Sequence, residues 1–218
     1  MFKDLMKRLF DMVMASVGLV VCAPILLTAA LLVKCSSRGP ILFRQQRIGL
    51  RFRPFRILKF RTMVANGRGC LITSADDPRI TTVGRILRKV KVDELPQLIN
   101  VLRGEMSFVG PRPEVPRYVE MYRDDYQQLL QVRPGITDMA SVLFRDEQLL
   151  LAPADDPEDY YVNVVLPEKI ALGKLYLEKA SFATDLYLIC QTLLRIASPS
   201  HRTSDSIQKS NEQTSCHL

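Results

Sequence analysis

A chain of 218 residues with 30 Lys plus Arg against 23 Asp plus Glu, a formal net charge of +7, has room for one sizeable domain with an appended element. The charge favours an anionic partner: nucleic acid, an anionic membrane face or a phosphorylated substrate. The two histidines, His201 and His217, lie in the polar tail, which argues against histidine catalysis and a histidine-bound zinc; five scattered cysteines (Cys22, Cys35, Cys70, Cys190, Cys216) with no CxxC pair argue for a reducing compartment. Chemistry then falls to carboxylates, Arg and Lys.

The first element is the apolar run Leu9–Val33, LFDMVMASVGLVVCAPILLTAALLV. It exceeds the roughly 20 residues that a bilayer-crossing helix needs. Asp11 lies near its start, and Pro24, near its middle, removes a backbone donor and bends the helix. Both flanks are basic, with Lys3, Lys7 and Arg8 before and Lys34, Arg38, Arg44 and Arg47 after. Positive residues prefer the cytoplasmic side. A straight span puts one flank outside, whereas a helix bent at Pro24 that enters and leaves by one leaflet keeps both inside. These residues support both forms equally, since proline is common in transmembrane helices. A helix hairpin buried in a soluble core ranks third. A cleaved signal peptide fits poorly, because the run is too long and a basic, free-thiol segment follows.

Arg38–Arg61 contains cations and no acid, with Ile41, Leu42, Phe43, Phe52, Phe55, Ile57, Leu58 and Phe60 interleaved and Gly49 between the two groups. This predicts a short β-hairpin with a basic face, suited to lipid head groups and a phosphorylated ligand. For most of these arginines simple solvation is the better explanation. Single-stranded nucleic acid, which basic–aromatic mixtures also suit, ranks lower given the acids downstream and the membrane segment upstream. Asn66–Thr82 reads as a loop, and Val83–Val92 as a short helix that brings Arg85, Arg88, Lys89 and Lys91 toward the next block.

That block, Lys91–Glu114, reads KVDELPQLINVLRGEMSFVGPRPE. Pro96 fits only a first helical turn, so a helix should begin within a residue or two of Asp93, burying Leu95, Leu98, Ile99 and Leu102. Asp93 and Glu94 then sit at the positive end of the helix dipole, which favours ionisation. An ionised Asp can attack phosphorus or hold Mg²⁺, and Arg112, fixed between Pro111 and Pro113, can clamp a phosphate. Acids before a helix are more often caps. The chemical alternative gains from the coincidence of the dyad, Arg112, the basic run and the membrane segment.

Further on, Glu120–Val132 predicts a helix, Arg133–Gly135 a turn and Asp155–Asp159 a solvated acidic loop. Pro167–Lys179 and Ala183–Ile196 predict packing helices, and 198–218 is Ser- and Thr-rich and expected to be disordered.

Six blocks, KRLFD (Lys7–Asp11), Pro24, RGPILFRQQRIG (Arg38–Gly49), KFRTM (Lys59–Met63), DELPQLINVLRGEMSFVGPRP (Asp93–Pro113) and VRPGIT (Val132–Thr137), resemble the bacterial sugar transferases. These are small monotopic phosphoglycosyl transferases acting on polyprenyl phosphate, and the resemblance runs from about Lys7 to Arg145. It implies transfer of a sugar 1-phosphate from a UDP-sugar to undecaprenyl phosphate, with UMP released. It further implies a covalent phosphosugar on Asp93, with Glu94 helping to bind Mg²⁺ or position the acceptor, so that both acids are candidate metal ligands. The proline-broken helix becomes re-entrant. By motif match Lys59, Arg61, Arg88 and Arg112 become candidate phosphate contacts, followed by Arg133 and Arg145. Two departures stand out. Ala23 precedes Pro24 where the family often has Ser, leaving Ser16 or Thr28 as substitutes. Asp138, Met139 and Ala140 replace a frequent Gly-Trp-Ala, so donor identity does not carry over.

The expected architecture is α+β and mostly helical. A re-entrant membrane helix broken at Pro24 occupies 1–36. A cytoplasmic catalytic domain with a small β-hairpin and interfacial amphipathic helices occupies 37–197, and a disordered polar tail 198–218. The expected location is the cytoplasmic face of a bacterial inner membrane, with UDP-sugar, polyprenyl phosphate and membrane lipid as partners and no nucleic acid. The rival is a membrane-anchored, non-enzymatic protein binding anionic lipid or nucleic acid through its basic surface, salt-sensitively and indifferently to the dyad. A third reading keeps the enzyme but makes Asp93 or Glu94 a base for direct transfer.

Overall fold

The computed structural model describes residues 2–64, 77–143 and 156–197; most of the Asn66–Thr82 loop, Arg145 and the tail 198–218 lie outside them. The described part is mostly helical with two small sheets, an α+β arrangement.

The apolar run folds as two helices, α1 (Phe2–Val21) and α2 (Ala23–Ser36), bent by 63° at Cys22. Pro24 lies in the first turn of α2, where a missing N–H leaves no hydrogen bond unmade. Among the described residues no single helix is long and apolar enough to cross a membrane; the bent pair passes that test only jointly. Of the two hydroxyls expected to substitute for the serine, Thr28 Oγ1 donates to Pro24 O at 2.8 Å in the turn after the break. Ser16 Oγ donates instead to Met12 O at 2.8 Å, more than a turn before it. Asp11 points inward, where its Oδ1 accepts from Phe108 N at 3.2 Å.

Next come β1 (Leu42–Ile48) and β2 (Pro54–Phe60), paired antiparallel from Leu42↔Phe60 to Ile48↔Pro54. The reversal spans Gly49–Arg53 rather than Gly49 alone, because Arg51 and Phe52 adopt left-handed φ of 53° and 59°. α3 (Thr82–Lys89) and α4 (Gln97–Arg103) flank the dyad segment. Leu98 and Val101 of α4 pack with Ala15 of α1 and with Phe55 and Ile57 of β2. Leu87 of α3 packs with Ala29 and Val33 of α2 and with Phe60 of β2. Each arm of the bent pair thus seats one of the two helices around the dyad. Asn100, fully buried on α4, completes β2 as a neighbouring strand would: its Oδ1 accepts from Leu58 N at 3.0 Å and its Nδ2 donates to Arg56 O at 2.8 Å.

β3 (Ser107–Val109) pairs in parallel with β4 (Gly135–Thr137). Between them the helix expected over Glu120–Val132 is found as α6 (Arg123–Leu129), preceded across a break at Tyr122 by α5 (Pro116–Met121). α7 spans Met139–Leu143. α8 (Pro157–Tyr160) runs through a π-helical segment, Tyr161–Val165, into α9 (Leu166–Lys179), and α10 is Phe182–Ala197. The acidic Asp155–Asp159 stretch is more than a solvated loop: Asp156 caps α8 by accepting from Glu158 N and Asp159 N. The largest core joins Val115, Tyr118, Tyr126 and Leu129 to Tyr161, Val165, Leu166 and Ile170, packing α5 and α6 against the π segment and α9.

α3 meets the chain after β2 so closely that a Cβ on Gly84 would lie 2.1 Å from Thr62 O. Thr81 caps the same helix by accepting from Gly84 N at 2.9 Å. Gly84→Ala should therefore push α3 off Thr62 and destabilise the fold by about 1–3 kcal/mol, as overpacked substitutions do. Thermal unfolding in detergent checks this, and an unchanged midpoint would mean that the contact yields freely.

Candidate active site

Asp93 and Glu94 sit on a 3₁₀ turn, Val92–Glu94, between α3 and α4. Lys91 enters this turn in the left-handed conformation, φ 57°, and reverses the chain out of α3. α4 itself begins only at Gln97, with Pro96 as its cap and no side-chain cap bond. The acids are thus a turn upstream of the helix expected to start beside them. Leu95 and Pro96 nevertheless hold right-handed helical dihedrals, so the path from the dyad into α4 stays helical.

The two carboxylates have opposite surroundings. Glu94 Oε1 accepts from Lys59 Nζ at 2.8 Å and from Arg112 NH2 at 2.8 Å. Burial would raise its pKa, but the charges of Arg112, Lys59 and Lys91 together prevail and hold it well below the usual carboxylate range. Asp93 is 7% exposed, and its Oδ1 is buried without a hydrogen-bond partner. Burial, then repulsion from Glu94, pushes its pKa up to about 6, against the pull of Lys59, Lys91 and Arg88. Neighbouring acids driven apart in this way divide the labour: one is a fixed charge, the other is poised to react.

Three of the expected cations converge on the dyad from three elements. Lys59 comes from β2, and burial pulls its ammonium pKa down while Glu94 supports the charge. Arg112 comes from the turn after β3, its backbone N donating to Asp138 Oδ2 at 3.2 Å. Arg88 comes from α3; its Nε donates to Thr62 Oγ1 at 2.8 Å, and its NH1 is buried without a partner. Two other expected contacts hydrogen-bond to backbone carbonyls, Arg61 through NH2 alone, its Nε and NH1 being buried without a partner, and Arg133 through Nε. Arg61 closes the end of α2, donating through NH2 to Val33 O at 3.2 Å and to Ser37 O at 2.6 Å. Arg133 donates to Gly104 O at 2.9 Å, beyond the opposite end of α4 from the dyad. Arg145 lies outside the described residues.

Sequence reasoning missed Asn100, Thr62 and Asp138 as supports of this arrangement. Thr62 and Asn100 lie inside the KFRTM and DELPQLINVLRGEMSFVGPRP blocks, and Asp138 in the replacement of Gly-Trp-Ala, signals that marked these positions without assigning them a role. Among the described residues no group of three or more His, Cys, Asp or Glu converges to hold a metal ion. Mg²⁺ commonly takes only one or two carboxylates together with a ligand's phosphates. The unpartnered Asp93 Oδ1 fits that mode, whereas Glu94 Oε1 already serves two cations.

A family model described as bacterial sugar transferase matches residues 2–199. A UDP-glucose:undecaprenyl-phosphate glucose-1-phosphate transferase of Caulobacter vibrioides is 49% identical over 144 residues, covering 64% of this chain and 54% of that protein. A UDP-N-acetylgalactosamine-undecaprenyl-phosphate N-acetylgalactosaminephosphotransferase of Aeromonas hydrophila is 35% identical over 195 residues, covering 87% of this chain and 43% of that protein. A protein of Bacillus subtilis named uncharacterized sugar transferase EpsL is 34% identical over 212 residues, covering 96% of this chain and 94% of that protein. The chain matches about half the length of the Caulobacter relative and nearly all of the Bacillus one.

The opposed environments make a direct expectation. In carbon-13 NMR the Asp93 carboxyl should titrate with a midpoint near 6. Glu94→Gln removes the like charge and leaves Lys59 and Arg112 uncompensated, so the midpoint should fall. An unchanged or higher midpoint would contradict the assignment of the repulsion to Glu94.

Proposed function

The chain belongs to the bacterial sugar transferase family, and from that premise we propose that it transfers a sugar 1-phosphate from a UDP-sugar to undecaprenyl phosphate by way of a phosphosugar carried on Asp93. The observation that carries this reading is the buried, unpartnered Asp93 Oδ1 beside a Glu94 already held as an anion by Lys59 and Arg112.

In the first displacement Asp93 Oδ1 attacks the sugar-bearing phosphorus of the donor. The new O–P bond forms as the bond to UMP breaks, and the electron pair departs with UMP. In the second, an oxygen of the lipid phosphate attacks the same phosphorus, the aspartyl–phosphorus bond breaks, and Asp93 regains its carboxylate. Splitting the transfer lets UMP leave before the lipid phosphate arrives. Both substrates are anions, so preset positive charge is needed to bring the nucleophile to phosphorus. Lys59, Arg112 and the unpartnered NH1 of Arg88 provide it. The Asp93 carboxylate would hold Mg²⁺ together with the donor's phosphates, Glu94 Oε1 being taken up by Lys59 and Arg112; when bound, the ion would neutralise phosphate charge. A carboxyl with a pKa near 6 is ionised at neutral pH yet retains more basicity than a solvent-exposed aspartate. The relatives' names include both a glucose and an N-acetylgalactosamine donor, so the proposal stops at the UDP-sugar class.

The proposed setting is the cytoplasmic face of a bacterial inner membrane, with 1–36 as the re-entrant element and 37–197 as the catalytic domain. Three observations support it. The bent pair has basic residues at both ends and turns Val20, Leu27 and Leu31 outward. α10 exposes Phe182, Leu186, Tyr187, Leu193 and Leu194 along one helix, as an interfacial helix would. α10 is also tied to α1, through an edge-on ring contact of Phe182 with Phe10 and an ion pair of Asp185 with Lys7. A protein that merely binds anions would gain nothing from a buried carboxylate held apart from its cations.

Asp93→Asn should abolish UMP release from a UDP-sugar in the presence of lipid acceptor and Mg²⁺, and near-normal turnover would refute the nucleophile assignment. Mass spectrometry of wild-type protein given donor without acceptor should find a phosphosugar adduct; active enzyme without an adduct would favour direct transfer with Asp93 as base. For topology, cysteines placed at positions 3 and 38 should both resist a reagent confined to the periplasm. Labelling at 3 with protection at 38 would reveal a true span.

A further inference from the structure

A second buried ion pair stands behind the Pro111–Pro113 turn, apart from the dyad. Glu114, 7% exposed, follows Pro113 directly. Its Oε1 accepts from Arg47 NH1 at 2.7 Å and from Val115 N at 3.0 Å, and its Oε2 accepts from Tyr161 Oη at 2.8 Å. Arg47 NH1 also reaches Pro113 O at 3.1 Å, and Arg47 NH2 donates to Gln45 Oε1 at 2.8 Å. The backbone supports the same junction, with Ile48 N donating to Glu114 O at 3.0 Å. Behind Tyr161, Lys169 Nζ lies 4.9 Å from the ring centroid. On the other side of the turn, Asp138 Oδ2 accepts from Arg112 N at 3.2 Å and Asp138 Oδ1 from Ser141 N at 2.6 Å.

A buried ion pair is weak evidence for stability, because desolvation offsets much of the attraction and an apolar pair of similar shape often does as well. What the pair does supply is a fixed register between the elements at its ends. Here those elements are β1, the π segment that opens at Tyr161, and the turn that carries Arg112. Arg112 is separated from Glu114 by Pro113 alone, so little slack can build up between them.

We propose that Glu114, held by Arg47 and Tyr161, is a positioning residue for the transfer: it sets the Pro111–Pro113 turn so that the Arg112 guanidinium meets Glu94 and the phosphate entering beside Asp93. The proposal rests on the reading given under Proposed function. It makes the α8–α9 segment part of the active-site support, through one hydroxyl.

The test is a double-mutant cycle on the full chain in detergent, read as UMP release and, separately, as UMP affinity by calorimetry. Glu114→Gln should lower kcat/KM by roughly 100-fold and Tyr161→Phe by roughly 10-fold, the scale on which a misplacement of about 1 Å acts. In an Arg112→Lys background the same substitutions should cost less than about 3-fold, because the group they position is gone. Equal losses in both backgrounds would show a general structural role and overturn the proposal, as would full activity in both single variants. Tyr161→Phe leaves every charge paired, so it keeps the question open to test should Glu114→Gln fail to fold. The affinity arm needs no turnover. If Asp93→Asn retains UMP release while the coupling to Arg112 persists in UMP affinity, the covalent reading fails and the positioning role stands.

Discussion

The clamp of Lys59 and Arg112 on Glu94 governs the rest of the site. Two adjacent carboxylates cannot both be buried as anions without cations, and the structure gives its cations unequally. Because both direct bonds go to Glu94, that charge is permanent, and its field, added to burial, raises Asp93 toward neutrality. Had the cations been shared evenly, both acids would be ordinary low-pKa ion-pair partners. The asymmetry is produced by where β2 and the turn after β3 place their side chains.

Placing those side chains requires a scaffold larger than the site. Lys59 depends on the register of the hairpin, which Asn100 locks to α4 by standing in for a missing strand. Arg88 depends on α3 lying against Thr62, a contact that only a residue without a Cβ permits at Gly84. α3 and α4 in turn pack against the two arms of the bent helix pair. The apolar N-terminal segment, bent by 63°, is therefore also a wall of the core.

Much of this was legible from residue order. Pro24 in a long apolar run marked the break, alternating Phe, Ile and Arg marked the hairpin, and Pro96 and the Pro-Arg-Pro turn framed the dyad. These are local signals, since proline geometry and strand alternation are settled within a few residues. Other readings failed for equally physical reasons. The α-helix after the dyad starts later than Pro96 suggested, with a left-handed Lys91 and a 3₁₀ turn coming first. The helix expected over Glu120–Val132 starts only at Arg123, because Tyr122 leaves helical dihedrals and separates it from the shorter helix before it. Arg61, matched by motif, closes a helix end through NH2 while its Nε and NH1 stay buried without a partner, a placement that residue order does not encode.

The sequence by itself determined the candidate acids and cations, the bend and a preference for an anionic partner, because charge, proline and apolar length act through near neighbours along the chain. Only the tertiary structure decided which carboxylate is clamped and which is left poised, and which arginines face the dyad. Those outcomes depend on distances between residues such as Lys59, Glu94 and Arg112, or Arg47, Glu114 and Tyr161, that stand tens of positions apart. The electrostatic energy that separates the two acids falls off with spatial distance, which residue spacing does not encode.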